Sequence, residues 1–140
     1  ARLFSLSHKQ RSDNIILLIE ALFQEITMEK STTEQSRIWR SIAEKLMGAS
    51  HSRGNLTQRL YIAIKRLNEL NYHARWEAHP EAPKIILGNC PYSAIIDNHP
   101  KICLIDKYLI EGLLATTVAQ EAKLTRDDRG YSSCLFSIGR

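Results

Sequence analysis

The sequence predicts an α+β chain, with helices first and then a four-stranded antiparallel sheet in the order ββααββ. Three observations predict it. Apolar residues recur at helical spacing through the first half, as in Ile15, Ile19, Leu22 and Ile26. At Tyr72 the period changes to two, and Tyr72, Ala74, Trp76 and Ala78 alternate with His73, Arg75, Glu77 and His79. Strands grouped apart from the leading helices favour α+β over an alternating α/β arrangement.

Each element has its own signal. The opening Arg2-Leu3-Phe4-Ser5-Leu6-Ser7 reads as a short strand with no local partner. Residues 12–28 read as a helix capped by Ser12 or Asp13. Ile16, Leu17, Leu18, Ala21 and Phe23 spread its apolar stripe beyond one face, so it needs cover on more than one side. It is either a central core helix or one shared between the core and a subunit interface. Ser31-x-x-Glu34 has capping-box spacing and opens a second helix marked by Ile38, Ile42 and Leu46, with Trp39 beside the stripe and a stop at Gly48. Asn55 caps a third, carrying Leu56, Leu60, Ala63, Ile64 and Leu67 and ending at Asn71.

Residues 72–88 read as a hairpin turning at His79-Pro80-Glu81-Ala82-Pro83. A short helix is expected over 90–97. A longer one begins at Pro100 and turns Ile102, Ile105, Leu109 and Leu113 inward. Strands follow over 118–124 and 131–138, joined by the turn Arg126-Asp127-Asp128-Arg129-Gly130, with Cys134, Phe136 and Ile138 sharing a face.

The chain has 140 residues, with 44% hydrophobic and 24% charged, enough apolar material for a core without staples. The longest strong apolar run, Ile15-Ile16-Leu17-Leu18-Ile19, is far too short for a membrane helix, so no membrane partner is expected. The net charge of +4 is dispersed, which reads as a solvated basic surface rather than a nucleic-acid site. Phosphate-loop, dinucleotide, Gly-x-Ser-x-Gly and His-Glu-x-x-His motifs are absent. His73 and His79 fall on the outer face of a strand. An enzyme is therefore not expected; a Cys90 or Cys103 nucleophile has no histidine placed by the sequence as its base.

Three cysteines, odd in number and sparse, do not make a secreted disulfide scaffold and fit a cytoplasmic chain. Cys90 follows a strand, Cys103 opens a helix and Cys134 lies on the last strand. Three thiolates with His99, or with Asp97 as second choice, would supply four ligands to zinc or an iron–sulfur cluster. Two other readings stand beside it: small buried hydrophobes, and a redox-sensing thiol at Cys103, whose helix N-terminus favours the thiolate.

At these residues a family resemblance enters. Asn89-Cys90-Pro91-Tyr92, His99-Pro100-Lys101-Ile102-Cys103, Asp106, Glu111-Gly112-Leu113 and Cys134-Leu135-Phe136 resemble the carboxyl-terminal sensor domain of Suf-type iron–sulfur repressors. Those are bacterial winged-helix regulators of the ArsR-like type. The resemblance covers nearly the whole chain, and Ala1 to Ser7 are similar to the last wing strand of the winged-helix domain. It implies that Cys90, Cys103 and Cys134 match family cysteines. Where cluster-binding members carry one more Cys, this chain has Thr116-Thr117-Val118. The implied organisation is a wing remnant at 1–7, a helical dimerisation region at 8–54 and a sensor domain at 55–140. The implied function is effector sensing and homodimerisation for a transcriptional regulator that meets DNA through an upstream domain. The alternative is a small-molecule-binding domain without metal, in which the hairpin and the helix over 100–115 enclose an apolar pocket.

Overall fold

The computed structural model describes residues 8–126 and 132–139. The expected wing strand and the turn at Asp127-Asp128 lie outside the described residues. The chain is α+β, and its elements run α1 (His8–Thr27), α2 (Thr32–Met47), α3 (Leu56–Glu69), β1 (Ala74–Glu77), β2 (Lys84–Leu87), α4 (Cys103–Leu114), β3 (Val118–Arg126) and β4 (Ser132–Ile138). A 3₁₀ turn, Pro100–Ile102, leads into α4. The sheet is antiparallel throughout, in the order β1-β2-β4-β3.

Local chemistry sets the helix ends. The Glu34 N–H donates to Ser31 Oγ at 3.2 Å at the start of α2. Asn55 and Gln58 form a reciprocal capping box, each backbone N–H donating to the other's side-chain oxygen at 2.9 Å. Two arginines of α3 then close the carboxyl ends of its neighbours. Arg66 donates to Leu46 O at 2.8 Å and Arg59 donates to Leu114 O at 3.0 Å, placing positive charge where helix dipoles are negative. Gly48 leaves α2 at φ 62°. Gly112 lets α4 approach α2, since a Cβ there would lie 2.6 Å from Met47 Sδ.

One buried cluster joins Trp39 and Ala43 of α2, Leu60, Ala63 and Leu67 of α3, most of α4, and the inner face of the sheet. On that face Ile85 pairs with Phe136 and Leu87 with Cys134. Each fully buried Leu or Ile contributes about 1.5–3 kcal/mol of transfer free energy. On the rest of the sheet, Lys84 pairs with Glu121 at 3.0 Å, and Glu121 also accepts from the Ser137 hydroxyl.

Two expectations are corrected. Residues 91–98 form consecutive turns, not a helix, so the second half reads ββαββ. Tyr92 O accepts from both Ile95 N and Ile96 N, and no continuous ladder follows. A segment this short cannot offset helix nucleation, and Ile95 and Ile96 are instead drawn into the core. The inward alternation of β1 also stops early: Tyr72 and Ala74 are buried, but Trp76 is 37% exposed and Ala78 is exposed. β1 is an edge strand held to α3 at its start, where Asn68 accepts from Ala74 N at 2.6 Å and donates to Ala74 O at 3.2 Å. Beyond that clasp the strand outruns the helices that would cover it. His73 and His79 are exposed, as the alternation predicts.

Candidate functional site

The site begins where β2 leaves the sheet. Cys90 lies three residues past Leu87, and Leu87 pairs with Cys134 on β4. Cys103 opens α4, and Asp106 follows about one turn later on the same helix face. All three cysteines are thiols, Cys103 and Cys134 buried and Cys90 half-buried. They gather near Asp106, because Cys90 feels the charges of Asp106, Cys134 and Cys103. Burial is the main cause that pushes the Cys90 thiol from its ordinary 9.0 up to about 11, partly opposed by a hydrogen bond with the Tyr92 backbone.

Asp106 is 2% exposed and accepts from the Tyr72 hydroxyl at 2.6 Å. The Tyr72 and Tyr92 hydroxyls lie 3.1 Å apart, with the rings edge to face at 6.2 Å between centroids. Burial, first, and the charge of Asp106, second, hold Tyr72 far above the ordinary phenol range. Tyr92 is raised as well, chiefly by burial. The result is a line of polar groups, Tyr92–Tyr72–Asp106, beside three thiols, of which Cys90 is held toward its neutral form.

His99 stands apart from this line. Its ring lies 6.1 Å from that of Phe23 on α1, and it shares a cavity with Trp39 and Lys101. Asp97 is exposed on the surface of the turn segment. Among the described residues, no group of three or more His, Cys, Asp or Glu side chains is arranged to hold a metal ion. Burial favours the neutral Cys90 thiol, so a metal bound there would have to displace its proton.

A second feature adjoins the first. A groove of about 370 Å³ runs between α1, α2, the turn segment and the start of α4, lined by Ile19, Phe23, Ile42, Tyr92, Ile95 and Ile105 among others. This groove is not the expected pocket between the hairpin and α4, because no hairpin residue lines it. Tyr92 belongs to both features: its ring walls the groove and its hydroxyl meets Tyr72.

Tyr72 was not singled out by the sequence, and Tyr92 and Asp106 entered only within the segments that carry the family resemblance, with no site role. A signal existed for Asp106, which stands three residues from Cys103 on the inward face of an apolar helix. The tyrosines carried none, because their meeting joins segments 20 residues apart. Compared with known proteins, the chain matches no family model, and a search of curated proteins returns no significant match. Among the described residues, no helix is long and apolar enough to cross a membrane.

Proposed function

We propose that this chain is the effector-sensing and dimerisation part of a bacterial transcriptional regulator resembling the Suf-type, ArsR-like class. The observation that carries the reading is the line Tyr92–Tyr72–Asp106, which links an open apolar groove to three clustered thiols. A ligand in the groove touches Tyr92, whose hydroxyl meets the Tyr72 hydroxyl that donates to buried Asp106. Low-dielectric surroundings make rearrangement of this line costly and therefore two-state in character. DNA is read, on this account, by a winged-helix domain outside these residues, and a dimer matches a two-fold operator.

The dimerisation half rests on α1. Ile15, Leu17 and Leu18 are 58%, 64% and 59% exposed, whereas Ile16, Ile19 and Phe23 are half-buried against the core. Exposed apolar surface of this kind marks an association surface. The ligand-responsive form of the reading, without metal, is favoured by the groove. The metal-responsive form would need Cys90, Cys103 and Cys134 to bind a cluster or zinc as thiolates.

Light scattering together with visible absorption of anaerobically purified protein tests the proposal. A dimer at micromolar concentration is expected, and Leu17→Glu with Leu18→Glu should make it monomeric while it stays folded. A colourless protein that metal analysis also finds free of zinc supports the ligand-responsive form, and thiolate-to-iron bands or bound zinc support the metal-responsive one. A monomeric wild-type chain would overturn the dimerisation reading.

A further inference from the structure

The apolar groove does not end at Phe23. Phe23 and Ile102 also line a second cavity of about 270 Å³, so the two spaces share a wall. The second space is polar in a one-sided way. Its charged or hydrogen-bonding residues are Thr27, Gln35, Trp39, Asn98, His99 and Lys101, with no acidic side chain among the residues lining either cavity.

The donors there are not all used. Trp39 is 3% exposed, and its indole N–H has no acceptor among the described residues. A buried donor left without an acceptor costs folding free energy, and an indole can only donate. Lys101 Nζ donates to Gln35 Oε1 at 2.9 Å, which occupies one of three ammonium protons. The Gln35 amide nitrogen donates to Lys30 O at 3.1 Å, so Gln35 is committed to its own surroundings. What the polar end lacks is an acceptor carrying negative charge.

The apolar end sets the rest of the ligand. Its aliphatic lining offers a tail nothing to hydrogen-bond except at Tyr92, and its size falls in the range of small-molecule sites. We infer that the groove binds a free aliphatic carboxylate of medium chain length. The tail lies along Ile19, Ile42 and Ile105, the carboxylate pairs with Lys101, and Trp39 turns so that its buried Nε1 donates to the same carboxylate. A single lysine suits one carboxylate charge better than the double charge of a phosphate monoester. The inference rests on the sensing reading and names the effector class for it. The tail meets Tyr92, the first member of the line that ends at Asp106.

The test uses decanoate. The chain has two tryptophans, and Trp76→Phe leaves Trp39 as the sole reporter. Decanoate should change Trp39 fluorescence saturably, and Lys101→Met should weaken binding about tenfold or more. Acetate, the head without the tail, should not bind, and decyltrimethylammonium, the same tail with the opposite charge, should not compete. Calorimetric titration of the unaltered chain gives the same answer should Trp76→Phe fail to fold. No saturable binding up to about 1 mM would overturn the inference. So would equal binding of the ammonium analogue, an unaffected Lys101→Met, or binding seen only to phospholipid vesicles. Decanoate that halves the light-scattering mass would also overturn it, by assigning the groove to a second copy of the chain. A dimer that ignores decanoate rejects this effector and leaves the dimerisation reading standing, so the two failures are distinct.

Discussion

Helices α1 and α4 both carry apolar residues around most of their circumference. In α4 that surface is covered: Leu109, Ile110, Leu113 and Leu114 are fully buried between α2, α3 and the sheet. In α1 Ile16, Ile19 and Phe23 pack against the core, Leu22 and Ile26 line the groove, and Ile15, Leu17 and Leu18 are exposed. Similar sequence character thus leads to different outcomes. An apolar circumference says that cover is needed; it does not say whether the same chain provides it. α4 also carries Cys103 and Asp106 into the sealed cluster, whereas α1 roofs an open groove. One helix holds chemistry away from water and the other leaves room for something to enter.

The contrast can be broken most severely at its buried end. Leu109→Ala should destabilise the fold by roughly 2–5 kcal/mol, read as a lower midpoint in urea with an unchanged slope. A loss below about 1 kcal/mol would mean that α4 is not the centre of the core.

Cys90 sharpens the claim that the α4 side is sealed. Its thiol is pushed up to about 11, so at pH 8 its thiolate fraction should be about 100-fold below that of an ordinary cysteine. Peptide mapping of iodoacetamide labelling should show a rate that climbs with pH toward about 11. The sign for stability follows from the same shift. Folding favours the neutral thiol, so its contribution is present below 9.0 and is lost as pH rises toward about 11. Rapid labelling of Cys90 at pH 8 would contradict this burial.

Tyr72→Phe removes the hydroxyl that donates to Asp106 and leaves a buried carboxyl short of a partner. A loss of about 1–3 kcal/mol is expected in thermal or urea unfolding. No change would show that water replaces the hydroxyl, and the proposed link to the groove would lose its buried character. The smallest effect is expected on α1: Leu17→Ser should alter the stability of the isolated protomer by no more than about 0.5 kcal/mol. A larger loss in dilute solution would show that α1 packs against its own chain more closely than its exposure indicates.

Much of this architecture was legible residue by residue. Ser31, Gly48 and Asn55 mark helix ends because caps and left-handed positions are local chemistry, decided within four residues. The hairpin and the face shared by Cys134, Phe136 and Ile138 followed from the two-residue period. The segment over 90–97 misled because it has helix-compatible residues but depends on Tyr92, Ile95 and Ile96 finding distant partners. Trp76 misled because alternation identifies a face and cannot say how far along the strand the covering helix reaches.

The sequence by itself determined that the chain has a core, where most helices and strands begin and end, and that Cys90 follows a strand, Cys103 opens a helix and Cys134 lies on the last strand. Tertiary structure alone decided that Tyr72 and Tyr92 meet over Asp106, that His99 turns toward Phe23 and Trp39, and that α1 covers a groove while exposing its other face. The physical reason is range. Capping and periodicity are set by neighbours along the chain, whereas burial, desolvation and hydrogen-bond pairing depend on which distant segment arrives to exclude water.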